Sequence, residues 1–206
     1  MNVVIIDYGA GNLFSVKSSL NRLGINAVVS SDPRIIQNAD KVIFPGVGEA
    51  GSAMSVLKKS GIDIIIPKLK MPVLGICLGM QLMCRSSEEG NVSGLNIFDI
   101  DVKKFKVDEK LQNVREALNN IKIPHMGWNN VYDFSSTLLE NINERERFYF
   151  VHSYYVPRCD YTIALCDYIC EFSAVIRKQN FYGCQFHPEK SGKKGALLLK
   201  AFCELT

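Results

Sequence analysis

The sequence predicts an α/β fold: an open, mostly parallel central sheet flanked by helices, with additional antiparallel strands in the second half. Three observations predict it. Short apolar runs alternate with helix-period segments through the first half. Glycine-bearing turns follow several of those runs, at the strand ends where an open parallel sheet places its ligands. The second half changes to period-two alternation, as half-buried antiparallel strands require. The chain has 206 residues, 47% hydrophobic and 22% charged, which is enough apolar mass for one real core. No repeat, linker or low-complexity segment divides residues 1–206, so a single domain is expected.

Val3 to Asp7 reads as a strand ending in the turn Tyr8-Gly9-Ala10-Gly11-Asn12. Leu13, Val16, Leu20 and Leu23 recur at helical spacing, and Gly24 stops that helix. Asn26 to Ser30 is a second strand. Lys41 to Phe44 is a third, ending at the turn Pro45-Gly46-Val47-Gly48. Met54, Leu57 and Lys58 suit a helix closed by Gly61. Pro72 to Ile76 runs as a strand into Cys77, and Leu78 to Arg85 is the helix behind it. From Leu95 to Phe105, Ile97, Ile100 and Val102 alternate with Asp99, Asp101 and Lys103, as half-buried strands do. Val107 to Asn120 is polar, with Leu111, Val114 and Leu118 at helical spacing, and reads as a short surface helix or an insertion. Phe148 to His152, Tyr161 to Ile169, Phe172 to Arg177 and Phe181 to Phe186 read as strands. Gly195 to Leu205 closes the chain as a helix with Leu197, Leu198 and Phe202 inward.

Composition excludes several classes. A dispersed net charge of +3 gives no basic patch for nucleic acid or an anionic membrane. The N-terminal run lacks the basic flank and length of a signal peptide, and no apolar stretch approaches the ~20 residues of a membrane span. Seven cysteines at irregular spacing argue against a disulfide framework and for a reducing cytoplasm. Cys184 and His187 are the one close Cys/His pair and there is no CxxC, so no metal site is expected. Cys84, Cys159, Cys166, Cys170, Cys184 and Cys203 read as small apolar side chains.

Cys77 is different. Gly75-Ile76-Cys77-Leu78-Gly79 has the spacing of a nucleophile elbow, in which small flanking residues let a sharp strand-to-helix turn expose the nucleophile. The N-terminus of the following helix favours thiolate. Taken alone, that motif is as well explained by a buried cysteine in a turn. His187-Pro188-Glu189 supplies the other two parts of nucleophilic catalysis, a base and an acid that fixes its tautomer. If the chain stays extended across Pro188, both side chains share one face. His125 and His152 lack a carboxylate at that spacing. The glycines of Pro45 to Gly48 make either a simple turn or a set of backbone donors for an oxyanion. Gly9-Ala10-Gly11 fails as a dinucleotide fingerprint because Phe14 occupies the third glycine position. An α/β-hydrolase places its acid far ahead of its histidine, whereas Glu189 follows His187.

With Gly75-Ile76-Cys77-Leu78-Gly79-Met80-Gln81 and His187-Pro188-Glu189-Lys190, the chain resembles class I (triad) glutamine amidotransferases. Asp7 to Asn12, Pro45 to Gly48, Ser87 to Gly90, Pro124 to Asn129 and Phe150 to Tyr154 extend the resemblance along the whole chain. With them the chain resembles, within that class, the glutaminase subunits of imidazole glycerol phosphate synthases. The resemblance implies a flavodoxin-like open, mostly parallel sheet, and Cys77, His187 and Glu189 as the triad. It implies oxyanion donors from the backbone of Val47, Gly48 and Leu78. It implies a glutamine head-group site from Gln81, Glu89, His152, Ser153 and Tyr154. Asn12, Trp128, Tyr149 and Lys190 map to an interface with a (β/α)8-barrel cyclase that receives the ammonia. Core packing is the alternative reading for Trp128 and for Tyr149, which lies next to the strand residues Phe150 and Val151. The implied activity needs no cofactor. A paralogue feeding a different synthase, a non-catalytic scaffold of the same fold and a stand-alone cysteine hydrolase are the competing readings. Physics favours a partner independently, because ammonia released into water is protonated and no longer nucleophilic. A free subunit with misaligned oxyanion donors at Pro45 to Gly48 is therefore expected to be nearly inactive.

Overall fold

The computed structural model describes residues 1–106 and 122–205, and the expectation for Val107 to Asn120 lies outside the described residues. In the first half, β1 (Val3–Ile6), β2 (Ala27–Ser30), β3 (Lys41–Gly46) and β4 (Val73–Cys77) alternate with α1 (Leu13–Arg22), α2 (Pro33–Gln37) and α3 (Ala50–Ser60), and α4 (Leu78–Leu82) follows β4. Every residue of β1, β3 and β4 is buried, as interior parallel strands covered on both faces must be. β1 pairs in parallel with β2 (Val3 opposite Ala27) and with β3 (Val3 opposite Lys41), and β3 pairs in parallel with β4 (Gly46 opposite Cys77).

Downstream lie β5 (Cys84–Ser87), β6 (Val92–Ser93), β7 (Phe98–Lys104), β8 (His125–Val131), β9 (Glu146–His152) and β10 (Tyr154–Tyr155). β11 (Thr162–Asp167), β12 (Glu171–Lys178), β13 (Phe181–Cys184) and α5 (Gly192–Glu204) complete the fold. The central sheet has seven strands in the order β11-β12-β13-β4-β3-β1-β2, with β12 antiparallel to both β11 and β13 and β13 parallel to β4. β10-β7-β5-β6 form a smaller sheet, and β8 pairs with β9 in an antiparallel hairpin. Among the described residues no helix is long and apolar enough to cross a membrane.

The helices begin and end where their side chains dictate. Asn12 Oδ1 accepts from the Ser15 N–H at 3.2 Å to cap α1. Glu49 accepts from the N–H groups of Gly51 and Ser52 to cap α3, and Gly61 ends it in the left-handed region at φ 70°. Met54 and Leu57 of α3 are buried while Lys58 is exposed. α5 buries Leu198, Leu199 and Phe202 and leaves Leu197 partly buried.

Several sequence expectations are corrected. The helix expected over Leu78 to Arg85 ends at Leu82, and Cys84–Ser87 is strand β5. Residues 84–87 find a parallel partner in β7, and Arg85 chelates Asp99 (2.6 Å) and Asp101 (2.8 Å) from a strand position. β3 continues through Pro45 and Gly46, so the turn begins at Val47. The run Leu95 to Phe105 contains one strand, Phe98–Lys104. The chain is not extended across Pro188: Pro188–Lys190 is a turn of 3-10 helix. α2, β8 and the small sheet's short strands were not expected.

The close approach of β3 and α4 requires glycine. A Cβ on Gly79 would overlap the Phe44 carbonyl oxygen, and one on Gly46 would lie 2.6 Å from the Gly79 nitrogen. Gly79→Ala therefore lowers stability by about 1–3 kcal/mol through overpacking, read as a lower midpoint of chemical denaturation.

Candidate active site

The ends of β1, β3 and β4 are neighbours, so the turns after them meet over one edge of the sheet. The turns after β3 and β4 border a cleft of about 260 Å³ lined by Val47, Gly48, Cys77, Leu78, Gln81, Glu89, His152, Ser153, Tyr154 and His187, with Pro124 and Val151. Every residue singled out from the sequence as nucleophile, base, oxyanion donor or head-group contact lines that cleft. Glu189 stands behind His187.

Cys77 ends β4 at φ 51°, ψ −109°, a backbone conformation that costs an L-residue of order 1–3 kcal/mol. Gly75 permits the turn, since a Cβ there would strike the Met83 side chain. The thiol donates to the Val151 carbonyl at 3.8 Å, and Sγ accepts from Gln185 Nε2 at 3.6 Å. α4 has five residues. Its dipole is too short to be the main influence on the sulfur, and the side-chain amide of Gln185 supplies a donor the sequence reading missed. A polar residue inside the apolar run Cys184-Gln185-Phe186 was the available signal.

His187 Nδ1 lies 2.8 Å from Glu189 Oε1, with both side chains almost fully buried (2% and 1% exposed). The 3-10 turn, not strand alternation, brings the carboxylate back onto the ring. The backbone of His187 is held by β9 and α5: its N–H donates to the Tyr149 carbonyl, and its carbonyl accepts from Ser191 Oγ, which in turn accepts from the Tyr149 N–H. His187 Nε2 is buried with no hydrogen-bond partner among the described residues. Burial disfavours the charged ring, but Cys77 and Glu189 outweigh it and raise the His187 pKa above 6.5.

The other two histidines behave oppositely. Burial lowers His125 to about 4 and His152 to about 3, so both are neutral at physiological pH. His152 Nδ1 donates to the Tyr154 carbonyl at 2.7 Å, which leaves Nε2 to accept from His125 Nδ1 at 3.1 Å. The same Tyr154 carbonyl accepts from Gln81 Nε2 at 2.9 Å. Burial raises the pKa of Glu89, and the Ala50 N–H that it accepts at 3.0 Å partly offsets this.

The residues mapped to a partner interface divide. β8 turns His125 inward and leaves Met126 (63% exposed) and Trp128 (50% exposed) outside, so Trp128 is not a core residue. Tyr149 is half-buried opposite Trp128, with the Lys190 ammonium 5.7 Å from its ring centroid. Asn12 is engaged as the cap of α1.

The family described as glutamine amidotransferase class-I matches residues 4–204. A relative from Bacteroides thetaiotaomicron, "Imidazole glycerol phosphate synthase subunit HisH", is 55% identical over 100% of both chains. A protein of the same name from Escherichia coli is 47% identical, again over 100% of both chains. A solved structure of a glutamine amidotransferase is 17% identical with a TM-score of 0.72, covering 98% of this chain and 97% of that chain, and shares the fold. A cysteine at a strand-to-helix turn, an imidazole with its carboxylate and a full-length family match agree: the chain belongs to the class-I glutamine amidotransferases.

Proposed function

We propose that this chain is the glutaminase subunit of an imidazole glycerol phosphate synthase in histidine biosynthesis, working in the cytoplasm. The observation that carries the chemistry is Cys77 at the β4–α4 turn in one cleft with His187, which the buried Glu189 backs at 2.8 Å. Full-length identity of 55% to a subunit of that name supports the pathway.

In this reading His187 Nε2 takes the Cys77 thiol proton and the thiolate attacks the side-chain carboxamide carbon of glutamine. Backbone N–H groups of Val47, Gly48 and Leu78 receive the oxyanion. His187 returns the proton to the departing nitrogen as the C–N bond breaks, and ammonia leaves. Water, deprotonated by His187, then hydrolyses the γ-glutamyl thioester to glutamate and restores the thiol. Glu189 holds Nδ1–H and supports the imidazolium. Gln81 and Glu89, with the segment His152 to Tyr154, hold the head group.

Ammonia passes to a partner subunit, a (β/α)8-barrel cyclase that forms imidazole glycerol phosphate and an aminoimidazole carboxamide ribotide. Asn12, Trp128, Tyr149 and Lys190 form the docking face, and the exposed apolar pair Met126 and Trp128 supports that placement. The test is glutamine hydrolysis by the purified chain, alone and with the cyclase plus its nucleotide ligand. Cyclase stimulation of at least about a hundredfold is the expected result, as recovery of an oxyanion donor would give. Equal rates with and without the cyclase would overturn the pathway assignment in favour of another synthase.

A further inference from the structure

Gln185 follows β13, is fully buried, and donates its backbone N–H to the Ala174 carbonyl at 2.9 Å. Its side chain bridges two residues that line the cleft, Gln81 and Cys77. Oε1 accepts from Gln81 Nε2 at 2.9 Å, and Nε2 lies 3.6 Å from Cys77 Sγ.

The orientation of that bridge is dictated from a fixed point. The Tyr154 carbonyl can only accept, so Gln81 must turn its NH2 toward it at 2.9 Å. The same nitrogen meets Gln185, so Gln185 must face it with oxygen. The NH2 of Gln185 is thereby left pointing at the sulfur. A backbone carbonyl between β9 and β11 thus decides which atom of a distant buried amide meets the nucleophile. The sulfur is held from two sides, by the Gln185 donor and by the Val151 acceptor.

We propose that Gln185 is a positioning residue for Cys77: its buried amide holds the sulfur in place, stabilises the thiolate as it forms, and ties the nucleophile to Gln81. A donor aimed at sulfur interacts more strongly with thiolate than with thiol, because one partner of the hydrogen bond is then ionised. The same amide joins a residue of the proposed head-group site to the nucleophile, so displacement of Gln81 is felt at the sulfur. The kinetic consequences rest on the glutaminase reading; the geometry and its effect on thiol ionisation do not.

The experiment measures the pH dependence of Cys77 alkylation by iodoacetamide, read at the Cys77 peptide by mass spectrometry. It compares the unsubstituted chain with Gln185→Met, which keeps the length and loses the donor, and Gln185→Glu, which sets a carboxylate against the sulfur. The expected order of alkylation midpoints is Gln, then Met, then Glu, with Met raised by about one pH unit and its neutral-pH alkylation slowed about tenfold. With glutamine, kcat falls by a similar factor and KM changes less. Lower activity with unmoved midpoints overturns the proposal and leaves Gln185 a packing residue. Should both variants fail to fold, the side-chain NH2 resonances of Gln185 in the unsubstituted chain serve instead. They shift with pH at the Cys77 alkylation midpoint and do not do so in Cys77→Ala; resonances indifferent to thiol ionisation overturn the proposal. The expected midpoint order without glutamine hydrolysis in any setting supports the role of Gln185 and overturns the glutaminase reading.

Discussion

Cys77→Ala abolishes glutamine hydrolysis, lowering kcat by at least about ten-thousand-fold, while the chain keeps its fold. The size follows from what covalent catalysis supplies: without the sulfur no thioester forms, and only binding and oxyanion donors remain. Ser153 also lines the cleft, but among the described residues no hydrogen bond joins its hydroxyl to His187, so it cannot take over. Stability changes little, within about 1 kcal/mol, because a small side chain is removed and the positive φ of 51° penalises alanine as it does cysteine. The measurement pairs glutamate release, with the cyclase present, against a thermal melt. A variant that melts normally and still hydrolyses glutamine at a tenth of the original rate would falsify Cys77 as nucleophile. One that no longer folds would show that the strained turn depends on the sulfur's contacts with Gln185 and Val151.

The parallel half of the fold was legible because its interior strands are continuous apolar runs and its turns carry glycines where backbones approach. Gly75 and Gly79 show why: each faces a neighbour that leaves no room for a Cβ. The hairpin strand β8 was not legible. His125-Met126-Gly127-Trp128-Asn129 buries a histidine and exposes a tryptophan, so no hydrophobic period marks it, and its partner β9 lies 15 residues away across a non-local loop. Arg85 was read as helical because the acids that chelate it, Asp99 and Asp101, lie on another strand, which local propensity does not see. The triad residues were found by type and spacing, yet their geometry was not: the 3-10 turn at Pro188 makes the His187–Glu189 contact that an extended chain was expected to make. Gln185 escaped because an amide carries no chemistry of its own, and its orientation emerges only from a chain of three hydrogen bonds linking Tyr154, Gln81, Gln185 and Cys77.

Glu189→Gln lowers kcat by about a thousand- to ten-thousand-fold, with a smaller change in KM for glutamine. The substituted amide has two orientations, and both harm the base. With its oxygen on Nδ1 at the present 2.8 Å contact, the tautomer survives but the negative charge that supports imidazolium is gone. The NH2 then occupies the place of Oε2, which is buried with no partner among the described residues. With NH2 on Nδ1, that nitrogen must accept, the ring proton moves to Nε2, and Nε2 can no longer take the thiol proton. Two further readouts separate this role from a loss of packing. Removing the carboxylate removes one of the two influences that raise the His187 pKa, so the limb of the pH–rate profile that reports His187 moves down. Stability carries a matching sign. A histidine whose folded pKa is raised contributes stability that is fully present below its unfolded value of about 6.5. That contribution is lost as pH rises toward the folded value, about 10. Glu189→Gln should therefore cost the most stability, about 1–3 kcal/mol, near pH 6, and progressively less as pH rises above about 6.5. Denaturation midpoints across that range decide the matter: a cost that does not depend on pH would mean that Glu189 acts by filling space, and the imidazolium support assigned to it would be withdrawn.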